Sequence, residues 1–243
     1  MKPVTESEIS RYIEGNLKRV TNCLDLTYLY QQARLGRVVA IEQENGVILL
    51  VNRGAFYSLF YFLSKPEVIK CPSLSKKVFC EVFCRQENSG EEVLEHSGFS
   101  IYASYCRMWK KGIVGNGTAH VGMKKSTLKF IQTEFDPYSD SLPILEEEDL
   151  FLSENFELKI LNEQAVLVYD LKNGISTLKY ILVHEEIRGE GVADMLLQEY
   201  LNKTAGSAKR YLLWVRENNN IAINLYDKYQ YKRDGFRKIV WEK

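Results

Sequence analysis

The apolar residues of this chain change their rhythm along its length, and each change marks an element. GRVVAIEQENGVILLVN, residues 36–52, reads as two strands joined at Glu44-Asn45-Gly46, where asparagine and glycine supply the positive-φ positions of a tight hairpin turn. AFYSLFYFL (55–63) and KKVFCEVFCR (76–85) carry the aromatic and β-branched residues that favour strands. ESEISRYIEGNLKR (6–19) predicts a helix with Thr5 or Ser7 as its cap. GEEVLEHSG (90–98) predicts a short helix that ends at Gly98, ahead of a strand over 99–109.

Further along, STLKFIQTEF (126–135) starts as a helix, with Ser126 or Thr127 as cap, and breaks at Asp136-Pro137. A polar, proline-bounded stretch (135–153) leads into another short helix, and its acidic run Glu146 to Asp149 reads as a helix N-terminal face or as an attraction for a cationic amine. Strands are expected over 156–163, 164–172 and 176–185. GVADMLLQEYLNKTA (191–205) is the next helix, with Val192, Met195, Leu196 and Tyr200 spaced to pack on a sheet. A strand (210–217), a helix (219–230) and a last strand near 236–242 follow. Strand, turn, helix and strand at this spacing form a βαβ unit, so 176–185 and 210–217 are expected to be parallel neighbours. Gly112, Gly115 and Gly117, flanked by paired lysines in residues 110–125, mark a seam between two halves.

The chain has 243 residues, enough for two small domains that each bury a core. Lys plus Arg and Asp plus Glu both total 32, so no basic excess is present to meet polynucleotide phosphates, and nucleic acid is not an expected partner. The most apolar stretch, 47–64, is broken at Asn52, Arg53 and Gly54 and is too short on either side to span a bilayer, so no membrane partner is expected either. The polar opening MKPVTESEIS has no apolar signal-peptide core behind it, which gives a cytoplasmic location as the expectation. Cys80 and Cys84 would share one face of a strand as reduced, apolar side chains with no histidine near them, and no metal is expected.

Chemistry enters at ILVHEEIRGEGVADMLLQEYL, residues 181–201, where a strand passes into a helix through Arg188-Gly189-Glu190-Gly191. Amides from about Gly189 to Ala193 precede the first intrahelical hydrogen bond, glycine allows close approach, and Arg188 adds a cation. Together they form a seat for an anion, phosphate above all. Without a ligand, the same turn is a tight β-α connection in which glycine serves geometry. A P-loop would end in Gly-Lys-Ser/Thr and a dinucleotide fingerprint would need a third glycine; neither fits.

Arg188-x-x-Gly191-x-Ala193, directly after a strand ending in LVHEE, resembles the pyrophosphate-binding motif of the GCN5-related N-acetyltransferase (GNAT) superfamily. Downstream, Asn219, Ala222, Leu225 and Tyr226 match that family's Asn-x-x-Ala-x-x-Leu-Tyr pattern. The resemblance covers roughly 126–243. Gln230-Tyr231 stands where the family usually has Gly-Phe, Glu190 replaces a residue that is basic or small in many relatives, and Gly235-Phe236 is read as a separate turn. The first half is more faintly similar, through a strand, a helix, Gly98-Phe99 and a strand, with no Arg-Gly-x-Gly-x-Ala turn before them. The resemblance implies an α+β fold: tandem mixed β-sheets flanked by helices, a degenerate GNAT-like domain at 1–122, an acetyltransferase domain at 123–243, and a coenzyme site in the second copy.

The resemblance also implies transfer of acetyl from acetyl-CoA, as co-substrate, to a primary amine of a small molecule or peptide N-terminus, by direct attack. Amides of Gly189, Glu190, Gly191, Val192 and Ala193, with Arg188, would hold the pyrophosphate. Backbone groups at Leu182 and Val183 would pair with the pantetheine arm, an N–H near Val183 would polarise the thioester carbonyl, and Asn219 belongs to the coenzyme motif. Tyr226 matches the family's general acid; a phenol with pKa about 10 can donate to a thiolate whose thiol has a pKa of about 8.5. The other role open to Tyr226 is packing beneath the coenzyme. Glu185, beside Glu186 and His184, is the expected base; as the alternative, that strand end is a solvated edge. A non-catalytic acyl-CoA-binding or assembly role and an aminoacyl-tRNA-dependent transferase are the competing readings, the latter lacking the basic surface it needs. Monomer and homodimer both remain open.

Overall fold

The computed structural model describes residues 3–15, 20–23, 26–85, 89–134, 154–160 and 164–243. They form two compact units, one of Met1–Tyr105 with Gly235–Lys243 and one of Cys106–Asp234. The glycine-rich stretch 110–125 lies within the second unit.

The first unit opens with α1 (Glu6–Gly15), capped by Thr5. The Glu8 amide donates to the Thr5 hydroxyl (3.3 Å), and the Glu8 carboxylate accepts from the Thr5 amide (2.7 Å), a reciprocal capping box. There follow β1 (Val20–Thr21), α2 (Leu26–Arg34), β2 (Val38–Gln43), β3 (Gly46–Asn52), β4 (Tyr57–Leu63), β5 (Val78–Cys84), α3 (Ser89–His96) and the start of β6 (Ser100–Lys111), and the last strand, β11 (Lys232–Glu242), returns to this unit. Its strand order is β2-β3-β4-β5-β11. The predicted hairpin joins β2 to β3, and a side chain at Gly46 would bring its Cβ to 2.1 Å from the Phe62 carbonyl oxygen, so only glycine fits. β3 is buried on both faces. Val47, Leu49 and Val51 meet Ile9, Ile13 and Leu29 of the two helices, while Ile48 and Leu50 join Leu59, Val82, Leu94 and Trp241.

β4 and β5 are parallel, but they pair only at Tyr57 with Val78 and Ser58 with Phe79. Beyond that point β1 pairs with β4, and Asn22, 7% exposed, fills the split. Its Nδ2 donates to the carbonyls of Leu59 (2.9 Å) and Glu81 (3.1 Å), and its Oδ1 accepts from the Tyr61 amide (2.9 Å). No helix lies between β4 and β5.

The second unit contains the rest of β6, α4 (Lys125–Glu134), β7 (Phe156–Ile160), β8 (Ala165–Lys172), β9 (Ile175–Val183), α5 (Val192–Thr204), β10 (Arg210–Arg216) and α6 (Asn220–Lys228), with strand order β6-β10-β9-β8-β7. β9 and β10 are the parallel neighbours the sequence predicts, in register from Ile175 opposite Arg210 to Leu178 opposite Leu213. α5 packs Val192, Leu196, Leu197 and Tyr200 against Leu167, Tyr169, Leu178 and Leu213; α4 covers Val166, Val168 and Tyr180 on the other face. In each unit, then, helices flank a mixed sheet, and the α+β class holds.

Several local expectations change. Met195 is 53% exposed, because the buried stripe of α5 runs through Leu196 and Leu197 and leaves Met195 at its edge. Neither Ser126 nor Thr127 caps α4. The cap is the buried carboxylate of Glu157 on β7, which accepts from the Lys124 amide (3.0 Å) and the Thr127 hydroxyl, a partner about thirty residues away that no local pattern reveals. Gly235 is not a separate turn: it sits inside β11 with φ 81. The helix expected after 135–153 and the acidic run 146–149 lie outside the described residues. Among the described residues, no helix is long and apolar enough to cross a membrane.

Replacing Asn22 with alanine strands two buried carbonyls and one buried amide, each costing about 1–3 kcal/mol when left unpaired. Urea unfolding of Asn22→Ala should show a loss of at least about 2 kcal/mol relative to wild type.

Candidate functional site

In the second unit, pairing between β9 and β10 stops at Leu178 and Leu213, although β9 runs on to Val183 and β10 to Arg216. The break coincides with a β-bulge. Tyr169 of β8 faces Leu178 and Val168 faces Tyr180, so Lys179 is one residue too many, and the strand bends there. The bulge is pinned by Asp170, whose carboxylate meets the Lys179 ammonium at 3.1 Å and accepts the Thr177 amide at 3.2 Å.

Beyond the bulge the hydrogen-bond phase decides which backbone groups are available. The His184 amide donates to the Gln164 carbonyl (2.8 Å), next to the pairing of Val183 with Ala165. That makes Val183 a non-hydrogen-bonded position towards β8. Its N–H and C=O, like those of Ile181 two residues earlier, therefore turn to the side that β10 has left. Leu182, opposite Val166, directs its backbone groups to β8 instead. Of the two strand-end residues expected to meet the coenzyme, Val183 turns its backbone groups to the open side and Leu182 to β8; Ile181, which the sequence does not single out, shares the phase of Val183. Counting in twos back from Val183 would have found it.

A single 3-10 turn, Glu185–Ile187, follows β9. Gly189 (φ 87) and Gly191 (φ 80) are both left-handed, and Gly191 is the N-cap of α5. A Cβ at either glycine would meet nothing within 4 Å, so the backbone conformation demands glycine and the space before the turn is open. The first helical bond runs from the Met195 amide to the Gly191 carbonyl (3.1 Å), which leaves the amides of Gly191, Val192, Ala193 and Asp194 ahead of it, at the positive end of the helix. Glu190 is exposed beside them. Asp194 brings a negative charge to the same turn, and Lys228 of α6 offsets it at 2.6 Å. The exposed Arg188 donates from Nε to the Val183 carbonyl (2.9 Å).

The remaining candidates divide by environment. Asn219 is the N-cap of α6, its Oδ1 accepting from the Ala222 amide (3.1 Å), so the asparagine of the downstream motif holds a helix end. Tyr226 is 5% exposed, its ring 5.8 Å from that of Tyr231, and burial pushes its phenol well above the ordinary tyrosine range. Glu185 and Glu186 are exposed; His184 is half-buried, with Nδ1 3.7 Å from the Glu186 carboxylate. Tyr180 lies in the core under α4, and Trp214 carries the Arg107 guanidinium 5.9 Å from its ring centre. Among the described residues the first unit offers no counterpart, since Asn22 fills its split and no helix lies between β4 and β5.

Residues 157–231 match the model of a family described as the acetyltransferase (GNAT) family. In fold the chain is similar to a GCN5-related N-acetyltransferase from Sphaerobacter thermophilus, with TM-score 0.54 and 11% identity over 90% of this chain and 85% of that one. It is also similar to a tandem GNAT protein from the clavulanic acid biosynthesis pathway (TM-score 0.58, 8% identity, 100% and 97% covered). An acetyltransferase of the GNAT family from Colwellia psychrerythraea gives TM-score 0.51 at 14% identity, with 100% and 98% covered. No curated protein matches the sequence. At such identities the likeness to solved structures speaks for the fold. The family match covers a span that includes the glycine turn, α5 and Tyr226.

Wild-type protein at a hundred times its dissociation constant for acetyl-CoA should gain about 2.7 kcal/mol, read as a rise in Tm of several degrees. Gly191→Glu should fold with a strain cost of about 1–2 kcal/mol for a side chain at positive φ and lose that rise.

Proposed function

We propose that this protein, whose residues 157–231 match the model of the GNAT acetyltransferase family, transfers acetyl from acetyl-CoA to a primary amine at the β9–β10 split. One observation carries the reading. The backbone groups of Ile181 and Val183 that face the split, outside both strand ladders, and the glycine turn lie on one continuous run of chain, a row of strand donors and acceptors leading to an anion seat. A pantetheine arm needs the first and a pyrophosphate the second.

In this scheme the amine lone pair attacks the thioester carbonyl carbon, a C–N bond forms, and the Val183 amide donates to the oxyanion. Collapse breaks the C–S bond, the electron pair leaves on sulfur, and Tyr226 supplies the proton. Burial keeps the phenol protonated across the physiological range, so the tyrosine arrives with its proton in place. Glu185 is the proposed acceptor of the amine proton, from an exposed place just past the strand end. The first unit keeps a comparable strand order without the site and stands as the degenerate copy.

The test is release of free CoA thiol across a panel of primary amines. Tyr226→Phe should lower kcat by about 10²–10⁴-fold, leave the KM for acetyl-CoA close to wild type, and melt within a few degrees of it. An unchanged kcat would make Tyr226 a packing residue only.

A further inference from the structure

Arg188 is the cation expected to meet the pyrophosphate, yet its Nε is hydrogen-bonded to the Val183 carbonyl at 2.9 Å. By the phase of the β8–β9 ladder, that carbonyl faces the split. It is therefore an acceptor that an added strand would use, and the guanidinium reaches it from the side an incoming amide would take. The side chain that covers the strand end also belongs to the anion turn, with its own amide held by the Glu185 carbonyl (3.2 Å). Resting on the acetyl-CoA reading of the site, we propose that Arg188 is a positioning residue with two seats: on the Val183 carbonyl when the turn is empty, and on the pyrophosphate when it is filled. Filling the turn then uncovers the strand end, so the two parts of the coenzyme assist each other through one side chain.

Such an exchange has a thermodynamic signature, because coupling between two sites is reciprocal. The probes are pantetheine, which has the amide arm and no pyrophosphate, and inorganic pyrophosphate, titrated separately and together into the full-length protein by calorimetry. In wild type, saturating pyrophosphate should tighten pantetheine about 5–10-fold, and pantetheine should tighten pyrophosphate by the same factor. Arg188→Ala should bind pantetheine alone at least as well as wild type, show no coupling, and bind acetyl-CoA about 10-fold or more weakly. A second readout is the ¹³C shift of the Val183 carbonyl. It should move on adding pyrophosphate to wild type and should sit near the new position in Arg188→Ala from the start. Loss of pantetheine binding in Arg188→Ala, or binding of acetyl-CoA by wild type with no coupling between the fragments, overturns the two-seat role and leaves the acetyl-CoA reading standing. Failure of wild type to bind acetyl-CoA overturns both.

Discussion

The open side of β9 exists because Lys179 is one residue too many for the ladder with β8. Without that bulge β9 would run straight and continue pairing with β10 past Leu178, and the backbone groups of Ile181 and Val183 would be spent on the sheet. Asp170 holds the irregularity in place by serving both the Lys179 ammonium and the Thr177 amide. A strand normally satisfies all its hydrogen-bonding groups within the protein, so turning those of two residues out of the ladders is costly unless something else takes them, as the Arg188 guanidinium takes the Val183 carbonyl. The bulge therefore does more than shape the sheet, because it keeps part of the β9 backbone out of both ladders.

The two units handle the same geometric problem in opposite ways. Both contain a parallel pair of strands that parts after a short register, β4 with β5 and β9 with β10. In the first unit the parting is closed by the protein itself, with β1 along β4 and the Asn22 amide between the strands. In the second it stays open, and a glycine turn and a helix N-terminus follow directly. One asparagine thus closes the first unit's parting from within.

Much of this architecture is legible in the sequence because it is written in local signals. Asn45-Gly46 marks the hairpin, the spacing of Val192, Leu196 and Tyr200 marks α5, and two glycines around Glu190 mark the turn that needs positive φ. What is not legible depends on partners distant along the chain. Glu157 caps α4 from a strand about thirty residues on, and Asn22 bonds to residues some forty and sixty positions away. The bulge at Lys179 has no signature of its own, since neighbouring β8 defines it. For that reason the sequence does not distinguish Leu182, which turns its backbone groups to β8, from Ile181, which turns them to the open side. The motif located the strand end, but only the ladder sets which residues face out. The asparagine of the downstream motif also caps α6 through its bond to the Ala222 amide, a role the motif alone does not spell out.

The pairing of β11 with β5, from Arg237 opposite Cys84 to Glu242 opposite Phe79, joins residues more than 150 positions apart in the sequence. The strand completing the first unit's sheet is encoded after the whole of the second unit. During synthesis, residues 1–105 emerge early but lack an edge partner for β5, whereas residues 106–234 can assemble as soon as they leave the ribosome. The order of maturation is then inverted relative to the order of translation: the part made first closes last, and its exposed β5 edge must be kept from pairing elsewhere in the meantime.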